Sequence, residues 1–140
     1  MQVDYSFIAD AADARDGLFY VLRGGADIWN VPAAAPLPWS IGPMSFVVRL
    51  VGTPNEIGGK KSVAFTIVDP DARPIGIEGN QQIEFGPHPI DRTRTSAALI
   101  HFRVTASVPG AGAYFFELHS DGRRLCQVPF WVIAAETATD

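Results

Sequence analysis

Cysteine is almost missing from this sequence: Cys126 stands alone among 140 residues. No internal disulfide is available, so the fold must rest on its own core, and a reducing compartment suits it. No histidine or basic neighbour is visibly placed to lower the pKa of that thiol, which makes it a small core residue on an apolar strand face rather than a nucleophile. Long apolar runs are also lacking, and no stretch approaches the length that crosses a bilayer. The opening Met1-Gln2-Val3-Asp4-Tyr5-Ser6-Phe7-Ile8 has neither the basic start nor the continuous apolar stretch of a secretory signal. No export is expected from it, and the expected location is cytoplasmic.

Positive charge is scarce and scattered. The net charge is −4, without blocks, and only Arg92 with Arg94 and Arg123 with Arg124 cluster at all. Nucleic acid and anionic membrane both demand concentrated positive charge, so neither is an expected partner. Helical periodicity is nearly absent too. Ala9 to Arg15 is the best candidate, and it is too short to stand alone, so a loop or a single turn is expected there.

What the sequence does have is punctuation. Thirteen glycines and eleven prolines separate short runs of alternating apolar residues, a spacing that favours an all-β fold over any helical one. About eight strands are expected, at Val3–Ala9, Leu18–Ile28, Ser45–Gly52, Ser62–Asp69, Ile75–Gln82, Ala97–Thr105, Ala113–His119 and Arg124–Ile133. Val3, Tyr5 and Phe7 share a face, and Phe46, Val48 and Leu50 alternate with Val47 and Arg49. Val63, Phe65 and Ile67 alternate with Ala64 and Thr66, and Ala98, Ile100, Phe102 and Val104 with Leu99, His101 and Arg103. One apolar and one mixed face per strand is the pattern of antiparallel sheets packed on one side. The expected architecture is therefore an antiparallel β-sandwich, immunoglobulin-like or jelly-roll-like, in one domain over residues 1–134, followed by a loose tail over 135–140. Gly24-Gly25 should make a bulge or bend. Pro32 to Pro43 should be an extended polyproline crossover.

The last hairpin, Tyr114 to Val132, carries the sharpest local information. Two turns compete: a two-residue Asp121-Gly122 loop, or a three-residue Ser120-Asp121-Gly122 loop. A one-residue slip turns every side chain to the other face. The three-residue loop pairs Phe116 with Cys126 and Tyr114 with Val128, which places Tyr114, Phe116, Leu118, Cys126, Val128, Phe130 and Val132 inside, and it is the expected register. Pro129 then falls outside, as on an edge strand or a bulge.

Several of these pieces occur together in one known group. Phe7-Ile8-Ala9-Asp10, Gly17 to Leu22 with the double glycine, Val68-Asp69-Pro70-Asp71-Ala72-Arg73-Pro74, and Gly112-Ala113-Tyr114 to Asp121-Gly122 with Val128-Pro129-Phe130 resemble a family of small bacterial proteins. The family is common in actinobacteria and is classed as a domain of unknown function. The resemblance covers most of the chain and implies a cytosolic bacterial β-sandwich with no assigned activity and no catalytic residues to carry over. At Ala72 this sequence departs from the glycine of the family's Asp-Pro-Asp-Gly turn, and a left-handed backbone there would be costly.

Chemistry-bearing constellations are few. Asp10, Asp13 and Asp16 lie three apart in one segment; hard cations take several oxygens from such loops, but the alternating spacing and distal glutamate of a calcium loop are missing, and a solvated turn is the leading reading. His88, His101 and His119 show no zinc spacing. No nucleophile elbow or phosphate-cradling loop appears, so no cofactor is expected. The remaining unusual feature is apolar and outward: Phe115, Leu125, Trp131 and Ile133 fall on the outer side of the last hairpin. A contiguous patch there would be a protein contact. Covering by the proline-rich segment is the alternative.

Three functional readings follow. The leading one is a non-enzymatic module that binds another protein or itself through Phe115, Leu125, Trp131 and Ile133. The second is a small-ligand or carbohydrate site built from Trp29, Trp39 and His88. The third is a small metal-dependent hydrolase using Asp10 and Asp13 with His101 or His119.

Overall fold

In the computed structural model, residues 1–135 are described, so the tail expected over 135–140 lies outside them beyond its first residue. Ten strands form in chain order: β1 (Gln2–Ala9), β2 (Ala11–Arg15), β3 (Leu18–Leu22), β4 (Ile28–Pro32), β5 (Trp39–Val51), β6 (Lys60–Val68), β7 (Pro74–Glu84), β8 (Ala98–Val108), β9 (Gly112–Ser120) and β10 (Arg123–Ala135). The only helical element among the described residues is a single 3-10 turn, Pro54–Glu56. The fold is all-β, in three sheets ordered β1-β5-β8, β4-β10-β9-β6-β7 and β2-β3.

The step from about eight strands to ten has two causes. Ala11–Arg15, expected as a loop, is a strand because Asp16 and Gly17 both adopt positive φ, 52° and 75°. That pair closes a two-residue hairpin with Arg15 opposite Leu18, the geometry that matches strand twist. The long strand expected from Leu18 to Ile28 is broken at the double glycine: the Gly25 and Ala26 amides both donate to the Ile8 carbonyl, at 2.7 and 2.9 Å. The chain thereby leaves β3 and restarts as β4 elsewhere. The expected polyproline crossover is also shorter than its prolines suggest, since β5 already begins at Trp39.

Phe46, Val48 and Leu50 of β5 face Phe65, Phe116, Leu118 and Phe130 of the five-stranded sheet in one core. The Phe46 and Phe116 rings stack with centroids 4.7 Å apart, and Phe116 contacts Phe130 at 5.4 Å. Each of these side chains is fully buried, and such aromatic contacts add to the area they bury. On its other side β5 also buries Ser45 and Val47, because β2 packs over β5 and β8. The mixed face expected for this strand is thus covered by the β2-β3 ribbon.

Among the described residues all pairings between these strands are antiparallel except one. β4 runs parallel to β10, with Trp131 opposite Ile28 and Ile133 opposite Asn30. The antiparallel arrangement expected throughout fails here because β4 enters from the glycine break beside β1 and closes the free side of β10. Pro129 is consistent with this. The Trp131 amide donates to Asp27 O at 2.7 Å, so two residues earlier the backbone nitrogen of Pro129 points to the same side, before β4 has begun. The missing N–H thus falls at a point of β10 that β4 does not yet pair with.

Candidate functional site

The outer face of the five-stranded sheet divides into an apolar and a polar half, and the last hairpin sets that division. Asp121 and Gly122 have φ of 52° and 73°, and Ser120 lies opposite Arg123. The turn is therefore the two-residue one, against the three-residue loop expected from sequence. A bulge between Arg124 and Cys126 then shifts the register, so that Cys126 faces Leu118 and Val128 faces Phe116. The bulge adds the one residue needed to return Cys126, Val128 and Phe130 to the inside. The inner set is the one expected, reached by a different turn.

The extra residue is Leu125, and this corrects its assignment to the outer patch. It is half-buried and packs against the core beside Cys126. Phe115 stays on the outer side but is half-buried, in register with Pro129 on one neighbour and Val68 on the other. Trp131 and Ile133 remain 41% and 44% exposed, and β4 adds Ile28 at 53% beside Trp131. Ile28 is a member that sequence reasoning missed, because the parallel pairing that brings it there leaves no mark on local periodicity.

The polar half centres on Glu117, which is 9% exposed. Its carboxylate lies 3.1 Å from His119 Nε2 and accepts from Gln127 Nε2 at 2.9 Å and Arg124 at 3.3 Å. Partial burial pushes the carboxyl up, and the contacts with His119, Gln127 and Arg124 more than offset this and hold it below the ordinary range. All of its partners are side chains of β9 and β10, so the cluster also pins the bulged hairpin.

Trp29, Trp39 and His88 are not brought together. Trp39 is buried at the start of β5 with its indole N–H on Ala35 O, and Trp29 donates to Ala26 O. His88 lies past the other end of β5: Pro87 bridges to Thr95, whose amide bonds Gly52 O. The thirteen residues of β5 separate Trp39 from that loop by roughly 40 Å. His88 Nδ1 instead accepts the amides of Ile90 and Asp91. The ligand pocket expected from these three residues therefore has no geometric basis.

The three aspartates are likewise apart in role. Asp10 pairs with Arg23 at 3.2 Å, Asp13 with Arg15 at 2.6 Å, and Asp16 occupies the β2-β3 turn. Among the described residues no group of three His, Cys, Asp or Glu side chains is placed to hold a metal ion. His101 lies on β8, opposite Val47, while His119 sits in the Glu117 cluster on another sheet. Burial pushes the Cys126 thiol up, only partly offset by hydrogen bonds from Ser6 and Leu118, which disfavours the thiolate. Among the described residues no helix is long and apolar enough to cross a membrane.

A second apolar surface escaped the sequence reading. Leu18, Tyr20 and Leu22 of β3 are 61%, 55% and 68% exposed. They project from the side of the ribbon turned away from β5, while Phe19 and Val21 are half-buried. The available signal was the run Leu18-Phe19-Tyr20-Val21-Leu22 itself, five apolar residues without a charge.

The sequence model of a family described as "Family of unknown function (DUF6941)" matches residues 4–133, and the chain belongs to that family. No curated protein matches the chain.

Proposed function

We propose that this member of a family of unknown function is a non-enzymatic interaction module that assembles with a second copy of itself through the apolar half of the five-stranded sheet. The observation that carries the reading is the adjacency of Ile28 and Trp131 on paired strands, with Ile133 next along β10, all substantially exposed. A large aromatic ring flanked by β-branched side chains on a sheet face is the composition of interface centres rather than of ordinary surface. The Glu117 cluster at the other half supplies a polar border.

In this reading the three- and five-stranded sheets act as the two layers of a sandwich, with the β2-β3 ribbon as an outer addition. The lone Cys126, half-buried and unpaired, suits a bacterial cytoplasm, the setting that the family resemblance implies. Light scattering after size exclusion at two protein concentrations tests the assembly. A dimer or larger species whose mass falls in Trp131→Asp supports it, and a monomer at both concentrations rejects it.

A further inference from the structure

The described residues contain six strands with an open edge: β1 and β8 of the first sheet, β4 and β7 of the second, and both members of the ribbon. An open edge invites pairing with another chain, and proteins blunt it with charge, proline, glycine or bulges. Five of the six are blunted here. β1 carries Asp4 and a bulge, β8 carries Arg103, β4 ends in Pro32, β7 contains Pro74, Gly76, Glu78 and Gly79, and β2 carries Asp13 and Arg15. Only β3, Leu18-Phe19-Tyr20-Val21-Leu22, has none of these devices.

The backbone of β3 shows which groups are free. Leu22 O accepts from the Asp10 amide at 3.0 Å, on the β2 side. Alternation along a strand then turns the groups of Leu18 and Tyr20 toward β2 as well, and those of Phe19 and Val21 away from it. Neither Phe19 nor Val21 has a hydrogen-bond partner on that side among the described residues. Two residues with free donors and acceptors thus flank Tyr20 symmetrically.

That symmetry makes the edge self-complementary, and we propose that β3 pairs antiparallel with β3 of a second copy about a two-fold axis at Tyr20. Phe19 then faces Val21 of the partner copy and Val21 faces its Phe19, each pair exchanging two hydrogen bonds, so all the free groups of both edges are satisfied. Centring the axis on Phe19 would set Val21 against the turn residue Gly17, and centring it on Val21 would set Phe19 against Arg23, which has a φ of 51°. In the Tyr20-centred register the two Tyr20 side chains are neighbours, and Leu18 lies beside the partner copy's Leu22. The exposed apolar stripe is thereby doubled into mutual cross-strand contacts. An isologous pairing of this kind closes after two copies and leaves no β3 edge open. It uses a surface separate from the outer face of the five-stranded sheet and does not depend on it.

Amide hydrogen exchange on the unaltered protein, at a dilute and a high concentration, tests the pairing. The Phe19 and Val21 amides should slow by about tenfold or more on concentration while Leu18 and Tyr20, already bonded within the ribbon, change little. Equal exchange of Phe19 and Val21 at both concentrations would overturn the proposal. Cross-linking then fixes the register in a Cys126→Ser background. Tyr20→Cys should form a disulfide dimer, because a non-bonded antiparallel pair brings the two Cα atoms to about 4.5 Å. Leu18→Cys alone should not, but should cross-link when mixed with Leu22→Cys. Equal cross-linking at all three positions, or at none, would refute this register. Repeating the exchange with Trp131→Asp separates the two surfaces: protection of Phe19 and Val21 should persist in it, and its loss would show that the β3 pairing is not independent.

Discussion

Trp131 of β10 stands directly opposite Ile28 of β4 across the parallel pairing of these two strands. The two side chains therefore share a face, and together with Ile133 they turn the end of the five-stranded sheet into an apolar surface that neither strand makes alone. Val132, one residue further along β10, and Val31, three further along β4, are buried, and Trp29 between Ile28 and Asn30 is half-buried, so both strands alternate.

Trp131→Asp should abolish the contact through the sheet face while preserving the fold and the β3 pairing. The side chain is 41% exposed, so the change should cost under about 1 kcal/mol of folding stability, whereas a carboxylate at the centre of an apolar contact is costly to desolvate. Light scattering should read a reduced mass while circular dichroism keeps the β spectrum of the unaltered protein, with the thermal midpoint lowered only by the stabilisation that the contact supplied. An unfolded variant would show that the tryptophan belongs to the core.

Deleting Leu125 should leave the protein folded, with a regular hairpin in place of the bulged one. Arg124 stays opposite His119 and Cys126 becomes the next residue, opposite Leu118, so Cys126, Val128 and Phe130 keep their places inside. The expected cost is the packing of one half-buried leucine, about 1 to 2 kcal/mol. Leu125→Ala, which keeps the bulge, should lose a similar amount. Circular dichroism and urea unfolding of both variants check this; a deletion variant that unfolds while Leu125→Ala stays folded would show that the bulge geometry itself holds the hairpin.

This hairpin also shows what was legible in the sequence. Alternation identified which residues of β9 and β10 are inside, because burial acts on side chains and periodicity records it. The expected turn differs from the observed one because a bulge restores the same alternation after a different loop: two shifts of one residue add to two, which keeps the faces but sets Phe116 opposite Val128 rather than Cys126, and Tyr114 opposite Phe130 rather than Val128. β4 beside β10, and hence Ile28, was out of reach since a parallel neighbour distant in sequence leaves no local signature. The same limit hid the role of the β2-β3 ribbon, whose own residues look like a loop until the two-residue turn at Asp16-Gly17 is recognised. His88 failed for another reason: a histidine accepting two backbone amides in its own turn is indistinguishable in sequence from one waiting for a ligand.

Ala72→Gly should stabilise the protein by about 1 kcal/mol. Ala72 has a φ of 60°, a left-handed conformation that costs a residue with a Cβ roughly that much. The turn enforces it, since the Ala72 amide donates to Asp69 O at 3.0 Å and the Asp69 carboxylate accepts the amides of Asp71 and Arg73. Glycine relieves the strain, and part of the gain is offset by its greater freedom when unfolded. Chemical denaturation should give a higher midpoint with an unchanged slope; a lower midpoint would mean that the unfolded-chain effect dominates.

Acid should weaken the polar half of the sheet face through Glu117. Its folded pKa is held below the ordinary value of 4.5, so the folded protein binds this proton less readily than the unfolded chain. The sign follows directly: the contribution is complete above about pH 4.5 and is lost as pH falls through the lower, folded value. Glu117→Gln should therefore cost about 1 to 2 kcal/mol near pH 7, reflecting charged hydrogen bonds that are partly open to water. The difference from the unaltered protein should shrink steadily below pH 4.5. Urea unfolding of both proteins across pH 7 to 3 reads this directly. A gap that stays constant over the range would show that the carboxylate's charge contributes nothing and that only its shape matters to the bulged hairpin.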